Sequence, residues 1–167
     1  MVLLFLLLYK HLVMILCGPF LSPMTEKIEA HLSGREVPHP SGIRDNARLI
    51  IRGLRIALRL VLREILLTIP LLLIGLIPVF SVLSTVLLFL IQSYYAGFGN
   101  ADFTLERHFR VRGSIDFVHR HRGLALGNGI VFILLLGLGI GFIIAPPLSA
   151  AAAAINTTER LTSDKSR

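Results

Sequence analysis

Two long apolar runs that contain no charged residue constrain this chain more than any other feature. They cover residues 65–91 and 124–155 and are 27 and 32 residues long. As continuous α-helices they would be about 40 and 48 Å long, whereas the hydrocarbon core of a bilayer is about 30 Å thick. Each run is therefore long for one crossing and too short for two, which need about 40 residues.

Basic segments flank both runs and help to decide whether each run crosses the membrane once or turns back inside it. Six arginines lie between positions 44 and 63, and five more lie between positions 107 and 122. If each run crossed once, these clusters would lie on opposite faces, against the positive-inside rule. We therefore favour two re-entrant hairpins, with tips at Gly75–Pro78 and Gly137–Gly141, where glycine and proline signal turns. The alternative is two tilted spanning helices with proline kinks.

The composition excludes a soluble enzyme, a disordered tail and a disulfide-rich secreted module. Hydrophobic residues make up 54% and charged residues 16% of the chain, whereas soluble domains contain about 25% charged residues. A chain of 167 residues cannot bury such an apolar excess, because small domains have much surface for their volume. We expect an all-α integral membrane protein with a spanning helix, an amphipathic arginine-rich helix and two re-entrant helical hairpins.

We interpret residues 1–167 as a single membrane domain. Its predicted segments are a membrane helix (1–24), a polar connector (25–42), an arginine-rich helix with the first hairpin (43–97), a basic connector (98–123), the second hairpin (124–158) and a polar tail (159–167). The first apolar run is expected to end near Gly18-Pro19. The connector is expected to form a short helix and then a loop, because Pro38 and Pro40 cannot continue a helix.

The helix predicted over residues 43–64 carries the main candidate anion site. Its arginines occupy an arc of about 80° at 100° per residue, and nearly all of its other residues are apolar. These arginines are Arg48, Arg52, Arg55, Arg59 and Arg63. Two interpretations stay open: an interfacial helix whose arginines reach lipid phosphates, or a stripe that lines a path for an anion.

Ser81 and Ser84 extend the candidate anion site to the tip of the first hairpin. A half-helix that begins after Pro78 would point its N-terminus into the membrane, with both serines close to it. Broken helices in transporters place such N-termini at anionic substrates. The ordinary alternative is that these hydroxyls donate back to backbone carbonyls.

The second hairpin carries a polar residue and two glycine pairs. Asn128 is a candidate pore-lining residue, and a hydrogen bond between helices is its ordinary interpretation. Gly123 with Gly127, and Gly137 with Gly141, have the i, i+4 spacing that predicts close helix packing.

No motif in the sequence indicates an enzyme, a cofactor or a metal site. The patterns GxxxxGK[ST], HExxH and GxSxG are absent, so we predict a protein that is not an enzyme and uses no cofactor. The histidines in His119–Arg122 have no cysteine or carboxylate at ligand spacing, so we predict no metal. Because this basic stretch adjoins a membrane segment, we expect membrane lipids and not nucleic acid as its partners.

Several short motifs occur in order between about Leu12 and Leu161. They are Pro19–Ser22 with Glu26–Glu29, the arginine helix, Gly75–Pro78, Ser93–Phe98 with Asp102-Phe103, His121–Gly129, and Ala145–Pro147 before Ala150–Ala154. No one of them is diagnostic, but their order resembles the CysZ-type sulfate permease family, whose domain also occurs in eukaryotic etoposide-induced proteins.

The resemblance implies long spanning helices, two membrane-dipping hairpins, oligomeric assembly and sulfate uptake for cysteine synthesis. Family members carry a first amphipathic helix, a spanning helix and a sulfate-binding loop upstream of the matched part, so we expect this chain to lack the N-terminal part. The leading hypothesis is a permease or channel-like protein for a small inorganic oxyanion, favouring sulfate, that forms a homo-oligomer in the bacterial inner membrane. The alternative is a non-transporting structural or lipid-interacting membrane module.

Overall fold

The structure is a computed structural model that describes residues 2–34, 43–138 and 141–165. Its helices in these ranges are α1 (Val2–Ser33), α2 (Ile43–Gly75), a 3₁₀ turn (Pro78–Phe80), α3 (Ser81–His108), α4 (Val111–Arg120), α5 (Arg122–Leu136) and α6 (Gly141–Lys165). No strand occurs in the described ranges, so the predicted all-α class is confirmed.

Helix α3 is the centre of the bundle, because it contacts α1, α2, α5 and α6. It is antiparallel to α2: Arg52 early in α2 bonds to Asp102 late in α3, whereas Gly75 at the end of α2 faces Ser84. It is parallel to α1, in which Gly18 faces Phe103 and the later residue Ser22 bonds to Glu106.

Helices α3 and α5 approach so closely that glycine is required at their contact. A Cβ added to Gly97 would lie 1.8 Å from the Ala125 carbonyl oxygen, and one added to Gly129 would lie 1.6 Å from the Ser93 carbonyl oxygen. Heavy atoms in contact are normally about 3.5 Å apart. The two pairings also show that α3 and α5 are antiparallel.

The prediction that the i, i+4 glycine pairs pack helices together is only partly correct. A Cβ on Gly123 or Gly127 would meet nothing within 4 Å, so these two glycines face open space. Gly141 does pack closely, with an added Cβ 1.7 Å from the Leu135 carbonyl oxygen, but this contact closes the α5–α6 hairpin. The spacing i, i+4 therefore identified small residues without identifying which helix face is covered.

The hydrophobic core surrounds α3 and has two parts. The larger part packs residues of α2, α4, α5 and α6 against the second half of α3, and includes Ile56, Leu60, Phe98, Ala101, Leu105, Phe117, Ala125 and Ala153. The smaller part joins α1 and the second hairpin to α3 through Met14, Ala96, Phe132 and Ala145. Many of these residues are alanines, which let helices approach closely.

The chain reverses direction at both positions where glycine and proline predict turns. Helix α2 ends at Gly75 before the 3₁₀ turn, and α5 ends at Leu136. Gly139 and Ile140 of the second predicted tip lie outside the described residues. Because α3 is antiparallel to both α2 and α5, the two reversals lie at the same end of the molecule, which we call the turn end.

The outer surface near the turn end is apolar. Large hydrophobic side chains are exposed there, Leu76 to 78% and Val79 to 84%. Others with more than half of their surface exposed are Leu66, Ile69, Leu73, Val82, Leu83, Val86, Leu134, Leu138 and Ile143. Exposed apolar surface of this extent is typical of a site that contacts a membrane or another protein.

Helix α1 continues past the predicted end near Gly18-Pro19 and reaches Ser33 inside the predicted connector. Its polar contacts with α3, described below, stabilise this extension, since tertiary packing routinely overrides local propensity. For the same reason residues 98–108 belong to α3 and not to a connector, and α6 extends to Lys165 through much of the predicted tail.

Among the described residues, one helical segment is long and apolar enough to cross a membrane. It comprises the 31 residues Pro78–His108. Most side chains of residues 1–24 lie outside the part described, so the spanning helix predicted there stays a prediction.

Candidate functional site

Helix α2 places its arginines along the edge of a buried face. The buried side chains recur every four residues and pack towards α3; they are Ile56, Leu60, Glu64 and Thr68. The exposed apolar side chains point away from them and are Ile51, Leu54, Leu58 and Leu62. At 100° per residue the arginine arc falls between these two faces. The sequence predicts this arc correctly, but the members of the arc have different environments.

Arg52 is held inside the bundle by four hydrogen bonds. Its Nη1 and Nη2 each donate to a carboxylate oxygen of Asp102 at 3.3 Å. Its Nη2 also donates to Ser114 Oγ at 2.7 Å, and its Nε donates to the Phe109 carbonyl at 3.2 Å. These bonds join α2 to α3 and α4. The charge of Arg52 is therefore compensated by protein groups.

Arg55, Arg59 and Arg63 are exposed. Among the described residues, neither Arg55 nor Arg59 makes a side-chain hydrogen bond or ion pair. Arg63 lies near Tyr94 and Tyr95 of α3. The side chain of Arg48 lies outside the described part of the structure. The unpaired guanidinium groups of Arg55 and Arg59 are thus free to bind an anion.

Ser81 and Ser84 lie near the turn end, far from the arginines. The Ser81 hydroxyl donates to the Pro78 carbonyl at 2.9 Å, which matches the ordinary interpretation of this residue. Ser84 is buried and faces Gly75. Since 12 residues of helix separate Arg63 from Gly75, the serines lie about 18 Å from the last arginine along the helix axis. The structure does not bring the two groups into one site.

Asn128 joins three helices. Its Oδ1 accepts a hydrogen bond from Asn100 Nδ2 of α3 at 2.9 Å, and its Nδ2 donates to the Ser149 carbonyl of α6 at 2.8 Å. It also lines a groove of about 330 Å³ between α5 and α6, together with Gly123, Gly127, Val131, Ser149, Ala152 and Asn156. The bond between helices is present, and a pore-lining role stays a prediction.

A second polar network joins the end of α1 to the end of α3. Arg107 Nε donates to Glu29 at 3.1 Å, and His108 Nε2 bonds to the other oxygen of the same carboxylate. About two helical turns earlier in α1, Ser22 Oγ donates to Glu106 at 2.5 Å. These contacts hold α1 parallel to α3 at the end of the molecule opposite the turns, which we call the polar end.

The environment of Glu29 changes the pKa of its carboxyl group. Burial raises the pKa, but the hydrogen bonds and positive charges of His108 and Arg107 lower it by more. The pKa of Glu29 therefore lies below its ordinary value, and the ionised carboxylate stabilises the contact between α1 and α3.

Sequence reasoning missed the acidic partners in both networks. Asp102 and Glu106 follow 37 uncharged residues and lie four positions apart, so they share one face of α3. This spacing is the signal that could have identified them as buried partners. Nothing in the sequence distinguishes Arg52 from the other arginines of the arc, because its partner is 50 residues away.

No group of three or more histidine, cysteine, aspartate or glutamate side chains that could hold a metal ion occurs in the described part of the chain. The candidate anion-binding residues carry guanidinium, hydroxyl and amide groups instead. Such groups bind anions by charge and by hydrogen-bond donation.

Comparisons with known proteins agree with these features. No curated protein and no solved structure matches the chain. A family model described as sulfate transporter CysZ/etoposide-induced protein 2.4 matches residues 1–147 and confirms the resemblance seen in the sequence. This is a family of transporters and not of enzymes, and together with the long apolar helix it indicates a membrane protein. Because the match covers most of its 167 residues, the chain belongs to the sulfate transporter CysZ/etoposide-induced protein 2.4 family.

Proposed function

We propose that this chain forms a membrane path for a small oxyanion, with sulfate as its substrate, in the bacterial inner membrane. The observation that carries the proposal is the pair of exposed, unpaired guanidinium groups of Arg55 and Arg59 on a helix whose neighbouring surface is apolar. The family description, which names a sulfate transporter, supports sulfate as the anion.

The proposed placement in the bilayer follows from helix lengths. The uncharged part of α2, residues 65–75, is about 16 Å long, and the 15 residues of α5 are about 22 Å long. Both are shorter than the hydrocarbon core of about 30 Å. The hairpins would therefore turn back inside the bilayer with their apolar turn end inserted. The arginines of α2 would lie at the face where the polar end meets water.

At that face the arginines would lower the cost of removing an oxyanion from water. A dianion that enters a low-dielectric region loses its hydration, and this loss is large unless opposite charges replace the water. Arg55 and Arg59 lie four residues apart, so their Cβ atoms are about 5–6 Å apart on the helix surface. Two guanidinium groups at this spacing can donate to the same oxyanion. Arg63 and Arg48 would extend the row along the helix in both directions.

Arg52 would contribute indirectly, by holding α2 against α3 and α4. Ser81, Ser84 and Asn128 would lie at other depths of the path and would not bind the same anion as the arginines. Because Arg55 and Arg59 are open on the outer surface of one copy, an enclosed path would need a second copy of the chain. The proposal therefore includes a homo-oligomer in which α2 faces another protomer.

Sulfate flux into liposomes tests this proposal. The purified chain is reconstituted, and uptake is compared with the double variant Arg55→Gln/Arg59→Gln. We expect the variant to lose at least about tenfold in flux, since a charged hydrogen bond contributes about 1.5–3 kcal/mol. The matched control is Arg160→Gln, which removes one exposed arginine from α6. Unchanged flux in the double variant would show that these arginines do not form the path.

The second candidate function is a structural membrane module that binds lipid and transports nothing. Exposed arginines beside exposed leucines also suit a helix lying at the lipid headgroups, which favours this alternative. The same liposomes distinguish the two: sulfate flux above that of protein-free vesicles supports transport. Headgroup-dependent membrane binding without any flux supports the structural module.

A further inference from the structure

The short helix α4 and its flanks form a strongly basic corner of the molecule. Helix α4 has ten residues and is about 15 Å long. Its buried side chains, Ser114, Phe117 and Val118, pack on the bundle. Its outer surface carries exposed cationic side chains, and the only exposed acid on α4 is Asp116. The exposed cationic residues are Arg110, Arg112, Arg120 and Arg122, and His119 is exposed beside them.

These cationic groups have little to bind within the chain. Among the described residues, the side chains of Arg110, Arg112 and Arg120 make no hydrogen bond or ion pair. Arg122 Nε donates to the His119 carbonyl at 3.1 Å, which holds its side chain at the last turn of α4. Like charges held together in this way repel one another unless an anionic partner neutralises them.

The position of the corner indicates where that partner comes from. Helix α4 begins three residues after His108, the end of the stretch long enough to cross a membrane, and α5 begins two residues after α4 ends. The apolar helices α3 and α5 both extend between this corner and the turn end. Helix α5 exposes Val131 and Leu134 along this length. The basic corner is therefore continuous with the apolar surface and lies where that surface stops.

We propose that the α4 corner binds the phosphate headgroups of anionic phospholipids. A helix at the membrane boundary with a buried apolar face and a cationic outer face has the charge pattern that attracts anionic lipid. Guanidinium groups bind phosphate oxygens through two parallel hydrogen bonds. Arg112 and Arg120 lie eight residues apart and so share one side of α4, separated by about 12 Å. This spacing suits two neighbouring headgroups.

The test uses the full chain purified in neutral detergent. Phosphatidylglycerol or phosphatidylcholine is added, and the lipid retained by the protein is measured by native mass spectrometry. Wild-type protein should retain phosphatidylglycerol in preference to phosphatidylcholine, and added salt should weaken the preference. In Arg112→Gln/Arg120→Gln the affinity for phosphatidylglycerol should fall about fivefold for each arginine replaced.

The control variant Arg112→Lys/Arg120→Lys keeps both charges and should keep most of the preference. Both double variants should unfold at the wild-type temperature without lipid, since the replaced side chains are exposed and unpaired. Equal retention of the two lipids by wild-type protein, or wild-type retention by the glutamine variant, would overturn the proposal. Displacement of phosphatidylglycerol by a short DNA duplex would instead make a soluble polyanion the partner.

This proposal and the proposed anion path can fail separately. The corner uses arginines of α4, whereas the path uses arginines of α2. In liposomes of phosphatidylcholine alone, Arg112→Gln/Arg120→Gln should leave sulfate flux unchanged, while Arg55→Gln/Arg59→Gln should reduce it.

Discussion

Replacing Gly129 with alanine should separate α3 from α5 and destabilise the whole bundle. The new Cβ would lie 1.6 Å from the Ser93 carbonyl oxygen and 2.9 Å from the Gly97 amide nitrogen. Both of these are backbone atoms, so no side chain can rotate to make room. Because contacting heavy atoms need about 3.5 Å, the helices must move apart by about 1.5–2 Å.

The size of the effect follows from two opposing terms. Overpacking of this kind costs about 1–3 kcal/mol, and a rigid backbone contact places Gly129→Ala at the upper end. Alanine also gains about 1 kcal/mol over glycine as a helix former. A net loss of about 2 kcal/mol is expected, and the Asn100–Asn128 hydrogen bond of 2.9 Å next to this contact should lengthen.

Gly127→Ala is the matched control, because it is the same change two residues away on the same helix. An added Cβ there meets nothing within 4 Å, so only the helix-propensity gain remains. We expect Gly127→Ala to be stabilised by about 0.5–1 kcal/mol. The two variants should therefore differ by about 3 kcal/mol, which is about 6–12 °C in Tm for a chain of this size.

Thermal unfolding in detergent, followed by far-UV circular dichroism, measures this difference. If Gly129→Ala unfolds at the same temperature as Gly127→Ala, the close approach of α3 and α5 does not exist in solution. A lower Tm in Gly127→Ala than in the wild type would show that the open groove is occupied.

Two further predictions concern the polar networks. Arg52→Gln should destabilise the fold by about 3–5 kcal/mol, since it leaves the buried Asp102 carboxylate without its partner; denaturant titration should show a smaller loss when Asp102→Asn is added to it. The lowered pKa of Glu29 means that its contribution to stability is full above the ordinary pKa of an unfolded glutamate and is lost as the pH falls through the lower pKa of the folded state. Tm measured against pH should accordingly fall more steeply on acidification for the wild type than for Glu29→Gln, and parallel curves would contradict this assignment.

Much of the architecture could be predicted from the sequence, because local chemistry decides it. Long charge-free runs and a low content of charged residues indicate a membrane protein whatever the tertiary structure is. Glycine and proline limit helix continuation by their own backbone properties, so the reversals after Gly75 and Leu136 could be placed correctly. The arginine arc of α2 depends only on helical periodicity, and the ordered motifs identified the family that the comparison confirms.

The environment of each member of a pattern could not be predicted, because it depends on distant partners. Arg52 and Arg55 belong to the same arc, but only Arg52 meets a carboxylate, which lies 50 residues further along the chain. Gly127 and Gly129 lie on one helix, but only Gly129 faces the backbone of α3. Local sequence determines which residues share a helix face, and tertiary packing alone decides which face another helix covers.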